Sequence, residues 1–194
     1  LEVLEVDGYY AEQITDSMRD WLDADDVAIS SQGAEDSFYE GRGIPHLTAN
    51  SPMVDVSELR AIQAVSAGVY AKVKPYVCVV PMRTWLLNVN TVPLDQPQVF
   101  QALFTPLLSE DQALSLLEER PRNGWATKDE FLQASPLLGL AITDEMKAQL
   151  DVKSQYFELE GIAEFDETKI ALQALFQASG KEVKTLRRQY GGVQ

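Results

Sequence analysis

Residues 157–165 read FELEGIAEF, and the alternation in this stretch decides the fold class. Phe157, Leu159, Ala163 and Phe165 fall on one side of an extended chain, and Glu158, Glu160 and Glu164 on the other. Successive side chains of a strand point to opposite faces, so the stretch is expected to form a half-buried strand. A turn at Asp166-Glu167-Thr168 leads into KIALQALFQ (169–177), where Ile170, Leu172, Ala174 and Phe176 repeat the period. Gly180 marks a further turn before EVKTLRRQY (182–190). The expectation is an antiparallel meander of two or three strands, which needs something to pack on because so small a sheet is marginal alone.

Upstream of Leu150 the period changes. YYAEQITDSMRDWL (9–22) has Ile14, Met18, Trp21 and Leu22 near helical spacing and reads as an amphipathic helix. Helix-start boxes recur at Asp55 and Glu58 before ELRAIQAV, at Ser109 and Gln112 before ALSLLEER, and at Thr127 and Glu130 before FLQAS. Further helices are expected over AGVYAKVKPYV (67–77) and Pro97–Leu107. The fold class is therefore α+β: a mainly helical part over residues 1–148, then strands over 149–194.

The chain has 194 residues, enough for one domain with a real core or two small ones. Its formal net charge of −14 argues against nucleic acid, where affinity comes from Lys and Arg neutralising phosphates. The same balance argues against a peripheral hold on anionic lipid. The sole cysteine, Cys78 in the apolar run YVCVVP, can form neither an internal disulfide nor a cysteine-based zinc site, and reads as buried. No apolar stretch approaches the roughly 20 residues of a membrane span. The first residue, Leu1, reads as the start of a fragment or a processed product.

From Asp23 to Pro52 helical periodicity disappears, and a long loop in a compact domain calls for a function or a ligand. Asp23, Asp25, Asp26, Glu35 and Asp36 gather there with no Lys or Arg among them. Acids this dense repel one another unless a cation sits among them. Hard oxygen donors suit Ca²⁺, with carbonyls from Val27 to Gly33 available as further ligands, and the lack of other usable His or Cys disfavours zinc and copper. Ala28 stands where an EF-hand requires glycine, so this is a different kind of loop. A solvated acidic surface is the bland alternative, and the count of ions, one or two, stays open. Two of the acids could also serve a carboxylate-dependent hydrolase. No other catalytic set is visible: the single histidine, His46, has no nucleophile in its neighbourhood of sequence and reads as structural or solvated.

Residues 86–132 (LLNVN to DEFL) have the layout helix, short turn, helix, Arg-x-Gly turn, helix, similar to the helix-hairpin-helix arrangement of nucleic-acid binders. Such hairpins grip phosphate through free backbone N–H groups. Here the hairpin Pro106–Asp111 has no glycine and carries Glu110 and Asp111. ELRAIQAVSAGVYAKVKPYV (58–77) has a similar outline and reads as a loose duplicate.

Taken in order, WLDADD (21–26), GAEDSFY (33–39), Asn50-x-Pro52, DVSELR (55–60), YAKVKPYVCVVP (70–81), NVNT (88–91) and SQYFEL (154–159) resemble the K-type minor pseudopilins of bacterial type II secretion systems. Val92 stands where alanine is usual in that family. The resemblance implies a non-enzymatic subunit at the pseudopilus tip that pairs with the I- and J-type minor pseudopilins and helps initiate assembly. It implies a periplasmic domain held at the inner membrane by an N-terminal helix outside this chain, with the first strands of a pilin-type sheet also outside it. Residues 1–148 would be the family's inserted α-domain, with its calcium loop at 21–52, and residues 149–194 the closing strands of the pilin core. Structural calcium would be held by Asp23, Asp25, Glu35 and Asp36, with Asp26 and Asn50 as further candidates.

Overall fold

The computed structural model describes residues 1–81 and 85–191. Helix α1 (Gly8–Leu22) starts where the Asp7 carboxylate accepts the Tyr9 N–H. It buries Ala11, Ile14, Ser17, Asp20 and Trp21, a face rotated from the purely apolar one toward Ser17 and Asp20. Helices α2 (Asp36–Glu40) and α3 (Ala67–Val73) complete the first half, around a core of Trp21, Ala34, Tyr39, Leu59 and Ile62.

The Asp55–Glu58 box forms as its spacing predicts, but it opens a 3-10 helix over Val56–Ala61 instead of an α-helix through 65. The chain turns extended at Ile62, which buries that side chain, and the Tyr39 hydroxyl accepts the Gln63 N–H (3.2 Å). Core packing has overridden helical propensity there. Cys78 is exposed, contrary to the buried reading. Residues 77–81 join no sheet; instead Val77, Cys78 and Val79 lie along the walls of two surface clefts.

The second half opens with the short strand β1 (Leu87–Asn88). Helices α4 (Gln98–Leu103), α5 (Glu110–Glu118), α6 (Lys128–Leu132) and α7 (Asp144–Ala148) come next, and β2 (Leu150–Asp151) pairs parallel with β1. The Ser109 box is complete, with both reciprocal bonds made. The Thr127 box is half made: Thr127 takes the Glu130 N–H, but the Glu130 carboxylate reaches one residue further, to the Ala126 N–H (2.6 Å). Phe131 sits centrally, its ring 4.9 Å from Trp125 and 5.5 Å from Phe100.

The hub of this half is Asn90. Its Oδ1 accepts the Trp125 N–H (2.8 Å), and its Nδ2 donates to the carbonyls of Trp125 (3.0 Å) and Val152 (3.2 Å). The side chain lies so close to Gly124 that a Cβ there would meet it at 2.7 Å, and Gly124 has φ +75°, which favours glycine. Arg120 fastens the same segment by donating to the carbonyls of Asn90 and Val92.

The C-terminal strands β3 (Tyr156–Phe165), β4 (Thr168–Ser179) and β5 (Glu182–Gly191) form one antiparallel sheet in sequential order. The pairs Phe157–Phe176, Leu159–Ala174 and Ala163–Ile170 bring both apolar stripes to one face, as the alternation requires. The outer parts of that face are open in the described chain, with Phe157 51% exposed, Ile170 48% and Phe165 80%, while Ala174 is buried and Leu172 and Phe176 are half-buried. β3 is therefore not half-buried by any described element. The other face meets the helical part through Arg187, which donates to the Val54 carbonyl and lies 3.7 Å from Asp55 and 3.8 Å from Glu158. Gln189 adds a bond to Asp55 (3.4 Å).

Replacing Asn90 by Ala leaves the Trp125 N–H and two carbonyls without their partner. Asn90→Ala should lower the unfolding free energy by about 2–3 kcal/mol, read as a lower urea midpoint at unchanged slope. A midpoint equal to that of the parent would remove Asn90 from its place as the hub.

Candidate metal centre

The acidic loop begins where α1 ends. The Asp23 N–H bonds back to the Arg19 carbonyl, and the Asp25 carboxylate accepts the Val27 N–H (3.0 Å) in a tight side-chain turn. The return path is tied to α1. Asp20 Oδ1 accepts the Ile29 N–H (2.9 Å), Ser30 Oγ donates to Asp16 (2.5 Å), and Ser17 Oγ donates to the Gln32 carbonyl (3.3 Å). Ala34 then enters the core, and Glu35 stands at the N-terminus of α2.

This path brings Asp23, Asp25 and Glu35 together, with one carboxylate oxygen from each within 4.8 Å of the others. Glu35 is buried, and neither of its carboxylate oxygens has a hydrogen-bond partner; the same holds for the buried Asp23 Oδ1. Buried polar atoms are nearly always partnered, so orphaned oxygens at one point mark a place for a ligand. Among the described residues no Lys or Arg forms an ion pair with these acids. Desolvation first, then the charges of Asp20, Asp23, Asp26 and Asp36, push the Glu35 carboxyl up to about 7.

The other sequence candidates lie around this trio. Asn50, held at φ +44°, donates from Nδ2 to Asp26 Oδ1 (3.1 Å) and leaves its buried Oδ1 unpartnered. Asp36 is engaged elsewhere. Its Oδ1 accepts from the Thr48 hydroxyl (2.6 Å) and the Thr48 N–H (2.8 Å), and those bonds hold its carboxyl below the usual range. The donor set of carboxylates plus an amide oxygen is that of a hard divalent cation. His46 takes the structural place expected of it, its ring 5.1 Å from Tyr39 and 6.1 Å from Trp21, with Nδ1 3.0 Å from the Ile44 carbonyl.

Two residues of this neighbourhood escaped the reading of the sequence, Asp20 and Thr48, and Gly33, read there only as a carbonyl donor, proves to be where the Asp20 carboxylate packs. Asp20 was legible in principle, since it lies three residues after Ser17 and next to Trp21, on the buried face of α1. Thr48 gives no local signal, because its partner is twelve residues away.

Two models of one family match the chain, both described as Type II secretion system (T2SS), protein K, over residues 1–82 and 87–153. The chain belongs to the type II secretion system protein K family. The protein K of Aeromonas hydrophila is 42% identical over 196 aligned residues, covering 100% of this chain and 59% of that protein. The protein K of Pectobacterium carotovorum subsp. carotovorum is 35% identical, covering 95% of this chain and 56% of that protein. The chain thus spans somewhat more than half the length of these protein K relatives. Among solved structures, a chain of the GspK-GspI-GspJ complex from enterotoxigenic Escherichia coli matches with a TM-score of 0.87 and 33% identity, over 98% of this chain and 66% of that one.

The raised Glu35 value gives the metal-free chain a characteristic pH dependence. The carboxyl has an ordinary value of 4.5 and a folded value of about 7, so between them the folded state binds more protons than the unfolded one. Stability in EDTA should therefore fall as pH rises from 4.5 through 7, the reverse of the ordinary carboxylate case. Asp36 and Asp55, whose values are lowered, act below that window. Thermal melts in EDTA should show the decline, and Glu35→Gln should flatten it; an unchanged slope in that variant would remove Glu35 as its source.

Proposed function

We propose that this chain is the greater part of the periplasmic region of a minor pseudopilin, a structural, assembly-initiating subunit at the tip of the type II secretion pseudopilus. The observation that carries the reading is the likeness, over nearly the whole chain, to a chain of a complex that contains GspK, GspI and GspJ. Its partners are then I- and J-type minor pseudopilins, and its role is mechanical and organisational instead of enzymatic. The helical residues 1–148 cap the fibre as a bulky head. Residues 149–194 offer the open apolar face of Phe157, Leu159 and Ile170 to a pilin-type core. No helix among the described residues is long and apolar enough to cross a membrane.

Calcium bound at Asp23, Asp25 and Glu35, with Asp26, Asp36 and Asn50 around it, stabilises the head. The unpartnered oxygens of Glu35, Asp23 and Asn50 support this. The ion supplies positive charge that offsets carboxylate repulsion and holds the two ends of the loop together. A ligand that binds only the folded state stabilises by about 2.7 kcal/mol at a hundredfold excess over Kd.

The helix-hairpin-helix outline belongs to packing on this reading. In the hairpin, the Ser109 N–H goes to the Gln112 side chain and the Gln112 N–H to the Ser109 hydroxyl. Glu110 accepts from Gln98 (3.1 Å) and places a carboxylate where phosphate would approach. These groups leave a nucleic-acid backbone little to bind.

Calcium should raise the melting temperature by about 5–10 °C at that excess, and Asp25→Ala or Glu35→Ala should abolish the gain. Calorimetry on the EDTA-treated chain that detects no calcium binding would sink the metal claim. For the partners, mixing with I- and J-type minor pseudopilins of the same organism should give one ternary peak in size-exclusion chromatography with light scattering. Separate elution at micromolar concentrations would count against the tip assignment.

A further inference from the structure

Asp20 is a fully buried carboxylate that lies outside the trio of Asp23, Asp25 and Glu35. It lies on α1 three residues before Asp23. Its Oδ1 takes the N–H of Ile29, halfway along the acidic loop, while its Oδ2 has no hydrogen-bond partner. On the far side the carboxylate presses on the backbone of Gly33, where a Cβ would meet Oδ2 at 2.1 Å and Cγ at 3.1 Å. Gly33 has no positive φ to explain it, so close approach is the reason for glycine at this point. One turn earlier on the same face, Ser17 holds the Gln32 carbonyl. Two side chains of one helix thus grip residues 29–33, the strand of loop that delivers Glu35 two residues later.

We infer that Asp20 is the positioning residue of the cation centre, clasping the base of the loop so that Glu35 meets Asp23 and Asp25 before the ion arrives. The inference rests on the calcium reading and deepens it. The clasp acts by shape and by one hydrogen bond to the backbone. A neutral side chain of the same form keeps both, whereas a shorter one loses the bond. Groups behind the ligands that orient them commonly contribute 10–100-fold to metal affinity.

The test is calorimetric titration of CaCl2 into the EDTA-stripped chain at a temperature where circular dichroism shows each variant folded. Asp20→Asn, which still offers an oxygen to the Ile29 N–H, should stay within about 3-fold of the parent affinity, and Asp20→Ala should weaken it by about 10-fold. Gly33→Ala should also weaken binding, and the double variant Asp20→Ala with Gly33→Ala should be no weaker than Asp20→Ala alone, because both changes remove the same contact. Parent-like affinity in folded Asp20→Ala overturns the inference. So does Asp20→Asn falling as far as Asp20→Ala, which would make the charge of Asp20, and not its geometry, what the ion requires. A parent chain that binds no calcium overturns the calcium reading itself and is told apart by its own titration. Should Asp20→Ala fail to fold, amide exchange in the metal-free parent decides the matter. The clasp requires the Ile29 N–H to be protected in EDTA, and rapid exchange there overturns it.

Discussion

A buried carboxylate surrounded by other carboxylates is the constraint from which this molecule is best understood. Glu35 is removed from water with both oxygens unpartnered, and Asp20, Asp23, Asp26 and Asp36 all raise the cost of its charge. Removing such a group from water is expensive unless a counter-charge accompanies it. The first half of the fold converges on this point: α1 supplies Asp20 and leads to Asp23, α2 begins at Glu35, and Trp21, Tyr39 and His46 pack beneath them. The apolar core there is small, so the electrostatic balance of the loop weighs heavily on whether this half holds its shape.

The second half is organised differently. Its core is large and aromatic, with Phe100, Phe104, Trp125 and Phe131 buried together, and its connections are fixed by the Asn90 amide with help from the Arg120 guanidinium. Asn90 ties the segment after β1 to the Gly124–Trp125 turn and to Val152, so the chain entering this half and the chain leaving it are held at one place. From there the sheet projects outward. Its contact with the helical part includes Arg187 between Val54, Asp55 and Glu158, while Phe157, Leu159, Phe165 and Ile170 of its apolar face stay exposed among the described residues.

Much of this was legible locally. The Asp55 and Ser109 boxes form as their spacing predicts, because a cap is a contract between residues three apart. The strand alternation carried the register, since both apolar stripes must share a face. The misreadings came where long-range packing decided the outcome. Ile62 left its helix to reach a core assembled from α1 and α2, and Cys78, apolar in its neighbourhood of sequence, found no sheet to be buried in. Within the acidic loop, composition named five acids without ranking them. The fold separates Asp36, engaged by Thr48, from the trio of Asp23, Asp25 and Glu35.

By itself the sequence determined what depends on neighbours a few residues apart: helix starts, strand period, the gathering of acids without bases, and the ordered motifs of the family. Tertiary structure alone decided which oxygens share a point in space, which are left without partners, and which glycine must yield room to a carboxylate. The reason is distance along the chain. Asp20 with Ile29 and Gly33, Asp36 with Thr48, and Asn90 with Trp125 and Val152 are contacts between residues nine to sixty-two positions apart. No local preference encodes such contacts; they exist only once the cores have closed.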